Sequence, residues 1–304
     1  MSADVARSPE LYAEANGQKL CYQTFGDGRA PVILLIMGLG AQMILWDDSF
    51  CEQLARRGYR VIRFDNRDIG RSSRVDAPVK VDFADLVMKQ MRGEKIEAPY
   101  ALKDLAADAA GLLDALGVQR AHVVGASMGG MIAQEMAINF PDRLASMTSI
   151  MSSSGNPALP PPTHEAAAVL MAPPPATRAE YIATFKKTWI VLRAGAFPAD
   201  EARDEERAAL NFERGLNPMG VARQLLAIFA SGDRRKKLNG VKVPALVIHG
   251  DADPLVRLAA GEDTARNIPG AKLVVVKTMG HAIPSTVSAQ VVEAIAQHAG
   301  AHPA

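Results

Sequence analysis

Residues 32–37 read Val-Ile-Leu-Leu-Ile-Met with no polar residue among them, and Gly38 follows at once. A strand with one wet face alternates apolar and polar side chains. An unbroken apolar run of strand length instead marks a strand covered on both faces, the usual state in a parallel sheet flanked by helices. Further strand candidates lie at residues 59–65, where Tyr-Arg-Val-Ile-Arg-Phe ends in Asp65, and at 121–126, 144–150, 245–250 and 273–277. Segments with helical spacing lie between these runs: 50–57 stopping at Gly58, 102–116 stopping at Gly117, 129–139 ending before Pro141, and 287–298. A hairpin opens the chain, with strands at 11–15 and 20–25 around Asn16-Gly17. Strand–helix alternation of this kind predicts an α/β fold built on a doubly wound, mostly parallel sheet.

The alternation stops at Gly155. Pro157, Pro160, Pro161, Pro162, Pro173, Pro174 and Pro175 fall within residues 156–175, and so many prolines predict a stretch without regular structure. Helical patterns follow at 178–193, 200–214 and 219–230, and the strand grammar resumes after Gly240. The expected organisation is therefore a core of residues 11–154 and 240–299, interrupted by a helical cap, or lid, at 155–239. Within the cap, Asp204-Glu205-Glu206-Arg207 reads most simply as a solvated helix face.

Charge narrows the function classes. Lys plus Arg number 34 against 33 Asp plus Glu, a net charge of +1, with no basic tail or patch. Nothing in that balance favours nucleic acid or an anionic membrane. Cys21 and Cys51 are the only cysteines, both in apolar stretches, and read as core thiols of a protein kept in a reducing compartment. Residues 1–10 lack the apolar segment of a secretion signal, and the longest apolar run is too short to span a bilayer. The expectation is a cytoplasmic protein that acts on a small molecule, with a homodimer left open.

Chemistry enters at Gly125-Ala126-Ser127-Met128-Gly129-Gly130, where a buried strand turns into a helix. Alone, the hexapeptide also fits a glycine-rich connection with no chemistry. Its position argues otherwise. A turn this tight holds the serine in a strained backbone conformation, exposes its hydroxyl and aims helix N-terminal N–H groups at the reacting centre. A serine hydroxyl needs a base. Of the six histidines, His122 and His249 sit inside strands, His164 in the proline-rich stretch, and His298 and His302 at the C-terminal end. His281 alone falls in a loop after a late strand, behind Thr278-Met279-Gly280, and is the expected base. A carboxylate must orient the imidazole. His249-Gly250-Asp251-Ala252-Asp253-Pro254 offers two, with Asp253 favoured because it lies in the loop, while Asp251 abuts the strand end and is better placed to tie the turn. For the developing oxyanion, the expected donors are the backbone N–H groups of Met128 and of Leu39, within Gly38-Leu39-Gly40.

In this order, GASMGG (125–130), HGDADP (249–254), MGH (279–281) and FDNRDIGRSS (64–73) make the chain resemble the α/β-hydrolase superfamily from residue 11 to about residue 299. Serine at position 127 sets it apart from haloalkane dehalogenases and epoxide hydrolases, which carry a carboxylate nucleophile there. Many relatives have His-Gly-x-Gly where this chain has Met37-Gly38-Leu39-Gly40. The donor is a backbone group, so the hole survives the change. Met-Gly here, with Asp65-Asn66-Arg67-Asp68 after the next strand, looks like the bacterial carboxylesterase branch that includes aclacinomycin methylesterases. The resemblance implies hydrolysis of a carboxylic ester through an acyl-enzyme. Asp65 and Arg67 are read as structural residues that pin the loop beside the site.

Met37, Gly38, Met131 and Trp189 are the expected pocket residues. Leu39 and Met128 also flank the centre, while Met171, Phe197, Phe212, Met219 and Phe229 are candidates for apolar walls from the cap. A small to medium apolar ester is the expected substrate. The same three residues would also serve a carbon–carbon bond hydrolase, an acyltransferase or a cofactor-free perhydrolase, and a non-catalytic ligand receptor ranks below these because no member of the set is missing. No cofactor is expected, since the glycines at 125, 129 and 130 lack dinucleotide-loop spacing. No metal is expected either, because no Cys/His cluster occurs.

Overall fold

The strand-forming runs assemble into one eight-stranded sheet in a computed structural model that describes residues 4–172, 175–194, 197 and 200–304. The strands are β1 Leu11–Ala15, β2 Gln18–Phe25, β3 Val32–Ile36, β4 Arg60–Phe64, β5 Ala121–Ala126, β6 Leu144–Ile150, β7 Ala245–Gly250 and β8 Lys272–Val276. Their spatial order is β1-β2-β4-β3-β5-β6-β7-β8. β1 pairs antiparallel with β2, and β2 antiparallel with β4; every later pairing is parallel. The central strands are covered on both faces: every residue of β3, β5, β6 and β7 is buried. β8, at the edge, is mostly exposed.

Helices cover both faces. On one, α3 (Leu102–Ala115) and α4 (Met128–Asn139) pack Leu105, Leu112, Ile132 and Met136 onto the even side chains of β3 and their neighbours. On the other, α1 (Asp48–Ala55) and α11 (Ser285–Gly300) bring Phe50, Leu54, Val291 and Ile295 against Ile33 and Leu35. Successive side chains of one strand thus enter two different hydrophobic cores, the arrangement the absence of alternation requires. Outside the segment between β6 and β7, two helices stand beyond the sequence reading: α2 (Phe83–Arg92), capped by the Asp82 side chain and closed by Gly93, and α10 (Leu258–Arg266) behind β7.

Between β6 and β7 the chain leaves the sheet and forms α5 (His164–Leu170), α6 (Arg178–Leu192), α7 (Glu201–Arg214), α8 (Pro218–Ser231) and the short α9 (Arg235–Leu238). Two expectations need correction here. The proline-rich stretch does hold a helix, because its prolines gather at 157–162 and 173–175. The intervening residues carry none, and the Thr163 hydroxyl caps the new helix by accepting from the Ala166 N–H at 3.2 Å. Pro173 and Pro174 lie outside the described residues. The Asp204–Arg207 stretch is not a solvated face. Glu205 and Glu206 are exposed, but Asp204 is 1% exposed and meets Arg193 at the end of α6 in a two-pronged ion pair, while Arg207 pairs with Asp47 of the core. The desolvation cost of burying each carboxylate is offset by a guanidinium fork that satisfies both its oxygens. Both cysteines are buried, free thiols.

Candidate active site

Ser127 stands at the turn between β5 and α4 with φ +56° and ψ −121°. For a residue with a Cβ that conformation costs about 1–3 kcal/mol, and it persists only where the surroundings enforce it. They do so here. A Cβ on Gly125 would lie 2.0 Å from the Gly129 carbonyl oxygen, and one on Gly129 would lie 2.1 Å from the Ile36 carbonyl oxygen. No larger residue fits either place, so the two glycines let strand, turn and helix close this tightly. The turn is fixed further by the Ser127 N–H donating to Ile150 O at 2.9 Å and the Ser152 hydroxyl donating to Ser127 O at 2.7 Å.

His281 lies in the loop between β8 and α11, and Asp253 in the loop after β7. The three side chains meet in sequence: His281 Nε2 is 3.0 Å from Ser127 Oγ, and His281 Nδ1 is 2.8 Å from Asp253 Oδ2. Asp253 is buried, and its other oxygen accepts the N–H groups of Leu255 and Val256 at 2.9 and 2.8 Å. Asp251 is exposed and accepts the Thr278 N–H at 2.6 Å, tying the two loops together. His249 is buried beside them, 3.6 Å from Asp253 Oδ2, with Nε2 2.7 Å from Val256 O. Burial pushes its pKa below the ordinary histidine value, which favours a neutral ring at the back of the carboxylate. His122 contacts the Ser146 hydroxyl within the sheet.

Gly38-Leu39-Gly40 wraps the other side of Ser127. Among the described residues, no protein acceptor takes the Leu39 N–H or the Met128 N–H, and both residues border the cavity above the serine. The cavity holds about 640 Å³. Met37, Gly38, Met131 and Trp189 lie on its wall, as do Phe229, Phe185, Tyr181 and prolines 157 and 160–162. Four residues weighed for the wall lie elsewhere: Met171 and Met219 are 49% and 42% exposed, Phe212 packs against Tyr181, and Phe197 packs against the core. Helical period alone does not say which apolar side of a two-sided helix turns inward.

Asp65 and Arg67 hold the loop after β4 and touch neither Ser127 nor His281. Asp65 accepts from the Met43 N–H at 2.7 Å and pairs with Arg214 of α7, while Arg67 forks onto Asp108 at 2.6 and 2.5 Å. The sequence reading gave no role to Asn66, Arg223 or Gln224, all buried polar residues around this loop. An isolated amide within the apolar run of α8, Gln224 between Arg223 and Leu225, was the available signal.

Comparison with known proteins agrees with this architecture. A family model described as alpha/beta hydrolase fold matches residues 31–286. The chain is 31% identical over 294 residues to rhodomycin D methylesterase DnrP of Streptomyces peucetius, covering 90% of this chain and 92% of that protein. It is 28% identical to putative carbamate hydrolase RutD of Pseudomonas savastanoi pv. phaseolicola, covering 83% and 87%. Among solved structures, a hydrolase from Pseudomonas aeruginosa superposes with a TM-score of 0.69 at 27% identity, covering 98% of this chain and 99% of that one. The enol-lactonase from Burkholderia xenovorans superposes with a TM-score of 0.68 at 25% identity, covering 95% and 99%.

Proposed function

Because the chain belongs to the α/β-hydrolase fold family, we propose that it is a serine esterase that cleaves an apolar carboxylic ester of a small alcohol through an acyl-enzyme. One observation carries the reading: the unbroken contact from Ser127 Oγ through the His281 ring to Asp253, opening onto a largely apolar cavity. The small alcohol rests on similarity to the methylesterases, and the apolar acyl side on the aromatic and methionine wall.

In the proposed cycle Ser127 Oγ attacks the ester carbonyl carbon while its proton passes to His281 Nε2. Asp253 accepts the Nδ1–H, keeps the ring in the tautomer whose Nε2 is free, and stabilises the imidazolium. The tetrahedral oxyanion is held by the Leu39 and Met128 N–H groups, the latter at the positive end of α4. Collapse of that intermediate breaks the C–O bond, and the departing alkoxide takes the proton from His281. Water then repeats the sequence on the acyl-enzyme, with His281 accepting its proton and returning it to Ser127, which frees the acid. Residues 155–239 act as the cap over this cavity. We place the protein in the cytoplasm, a location consistent with two free, buried thiols. No helix among the described residues is long and apolar enough to cross a membrane.

The test is labelling by a fluorophosphonate, expected in the native chain and absent in Ser127→Ala, combined with turnover of graded methyl and p-nitrophenyl esters. An unlabelled native chain refutes the nucleophile. Faster cleavage of a β-diketone than of any ester, or transfer to peroxide in preference to water, assigns the same residues to another chemistry.

A further inference from the structure

Three consecutive peptide planes pass over Ser127 between Met37 and Gly40, and each is held at one atom. The Met37 carbonyl accepts from Asn66 Nδ2 at 3.1 Å. The Gly38 carbonyl accepts from the Ala41 N–H at 3.2 Å. The Gly40 N–H donates to Gln224 Oε1 at 3.0 Å. In a trans peptide the N–H points opposite to the C=O. Holding the Gly38 carbonyl on Ala41 therefore turns the Leu39 N–H to the opposite side, and the planes before and after it are clamped by side-chain amides. Gly40 has φ +66° and tolerates other orientations, so its plane is the one that would turn if released.

Gln224 differs from the other two holds because it comes from α8, in the cap. It is fully buried, and its amide is used at both ends, with Nε2 donating to the Arg67 carbonyl at 3.1 Å. It thereby joins the loop after β3 to the loop after β4. The helix around it is fixed on the same loop: Asn217 donates to Asp68 O at 2.9 Å, and Arg223 forks onto the Asp68 carboxylate at 2.8 and 2.7 Å. A Cβ on Gly220 would lie 2.5 Å from Asp68 O, so the helix and the loop are in direct backbone contact.

We propose that Gln224 is a positioning residue for ester cleavage, through which the docked cap orients the peptide planes that carry the oxyanion donor Leu39. The proposal rests on the serine esterase reading. Without Oε1, the part-buried Gly40 N–H loses its protein acceptor, a loss that costs free energy. The loop relieves that cost by turning, and the neighbouring Leu39 N–H leaves the line to the oxyanion.

The experiment compares two ligands on the full-length chain. An alkyl trifluoromethyl ketone adds to Ser127 Oγ and develops an oxyanion, while the corresponding alcohol fills the cavity and develops none. In Gln224→Met the ratio of their affinities is expected to fall about 10–100-fold, below the 10²–10³-fold loss that follows outright removal of a donor, with kcat falling in parallel and KM nearly unchanged. Gln224→Glu keeps an acceptor opposite Gly40 and is expected to lie between Gln224→Met and the native chain; it also supplies the reading if the methionine variant does not fold. An unchanged ketone-to-alcohol ratio overturns the proposal, whether both affinities are retained or both are lost together, because a merely structural glutamine moves them equally. A native chain that binds the ketone no better than the alcohol refutes the esterase reading itself and is distinguishable from failure at Gln224.

Discussion

Replacing Asp253 with asparagine tests the proposed chemistry at an atom whose surroundings leave little freedom. Asp253 Oδ1 accepts two backbone N–H groups at 2.9 and 2.8 Å. In Asp253→Asn an amide nitrogen at that position would face two donors, so the amide oxygen must stay there and the NH₂ must turn to His281 Nδ1. That nitrogen is then forced to accept. The ring proton moves to Nε2 and points at Ser127 Oγ from 3.0 Å. A nitrogen already protonated cannot take the serine proton, so the volume is conserved and the base is lost. Serine hydrolases with the wrong tautomer lose roughly 10⁴-fold in kcat, which corresponds to about 5.4 kcal/mol of barrier. The assay is the initial rate with p-nitrophenyl butyrate, paired with the second-order rate of fluorophosphonate labelling, and both are expected to fall together. The melting temperature should change little. Asp251→Asn is the control: among the described residues its side chain accepts only the Thr278 N–H, asparagine keeps that acceptor, and the rate should stay within about twofold. A loss below about tenfold in Asp253→Asn, or an equal loss in both variants, refutes the reasoning.

The other predictions concern stability and reactivity. Arg223→Met leaves the Asp68 carboxylate, 0% exposed, with the Tyr100 hydroxyl and the Val75 N–H but, among the described residues, no paired cation. Breaking a buried pair in this way costs about 3–5 kcal/mol, so calorimetry should show a melting temperature lower by on the order of 10 °C, and a drop under 2 °C would contradict the account. Burial pushes the Cys21 and Cys51 thiols up to about 12. The native chain should therefore ignore Ellman's reagent at pH 8 and react at both thiols in guanidinium, and prompt reaction of the native chain would show the packing to be wrong. Burial also pushes His122 down to about 4, from an ordinary 6.5. Between those values the unfolded chain holds a proton that the folded one does not, so stability is complete above about pH 6.5 and declines as pH falls towards 4. His249 and His298 are shifted in the same direction. Urea midpoints measured from pH 7 to 4 should follow this slope and flatten in part in His122→Gln; an unchanged slope there would remove His122 as a source.

What could be read in the sequence was set by local steric and burial rules. β3, β5 and β7 were legible because strands covered on both faces are almost wholly apolar, with His122 and His249 the polar exceptions. The Ser127 turn was legible because Gly125 and Gly129 are demanded by contacts inside a six-residue motif. Features whose cause lies in another element were not legible. Asp204 looks solvated beside Glu205 and Glu206, and only the fold brings Arg193 to it from another helix. Gln224 reaches Gly40 and Arg67, 184 and 157 residues away, and an amide in a helix has no periodic signature. The helix at His164–Leu170 was hidden for a different reason: counting prolines over a long window overlooks the proline-free stretch that Thr163 caps.

The helices between β6 and β7 divide their work unevenly, and the physical basis is where their charges are buried. α7 and α8 reach the loops after β3 and β4 through Arg214 on Asp65, Arg223 on Asp68 and Gln224 on Gly40, all largely or fully buried. Ion pairs of this kind add little net stability against an apolar alternative, yet separating them leaves a charge stranded, so they resist displacement strongly. α6 has no fully buried residue and gives the cavity wall Tyr181, Phe185 and Trp189. Its hold near the reacting groups is a backbone one, the Leu192 carbonyl accepting the His281 N–H at 2.7 Å. Side chains on the α6 wall can therefore be exchanged without touching the planes over Ser127, whereas a change in the polar residues of α8 reaches them directly. Under the proposed function, substitutions at Trp189 or Phe185 would alter which ester is accepted, and substitutions at Gln224 would alter how fast any ester is cleaved.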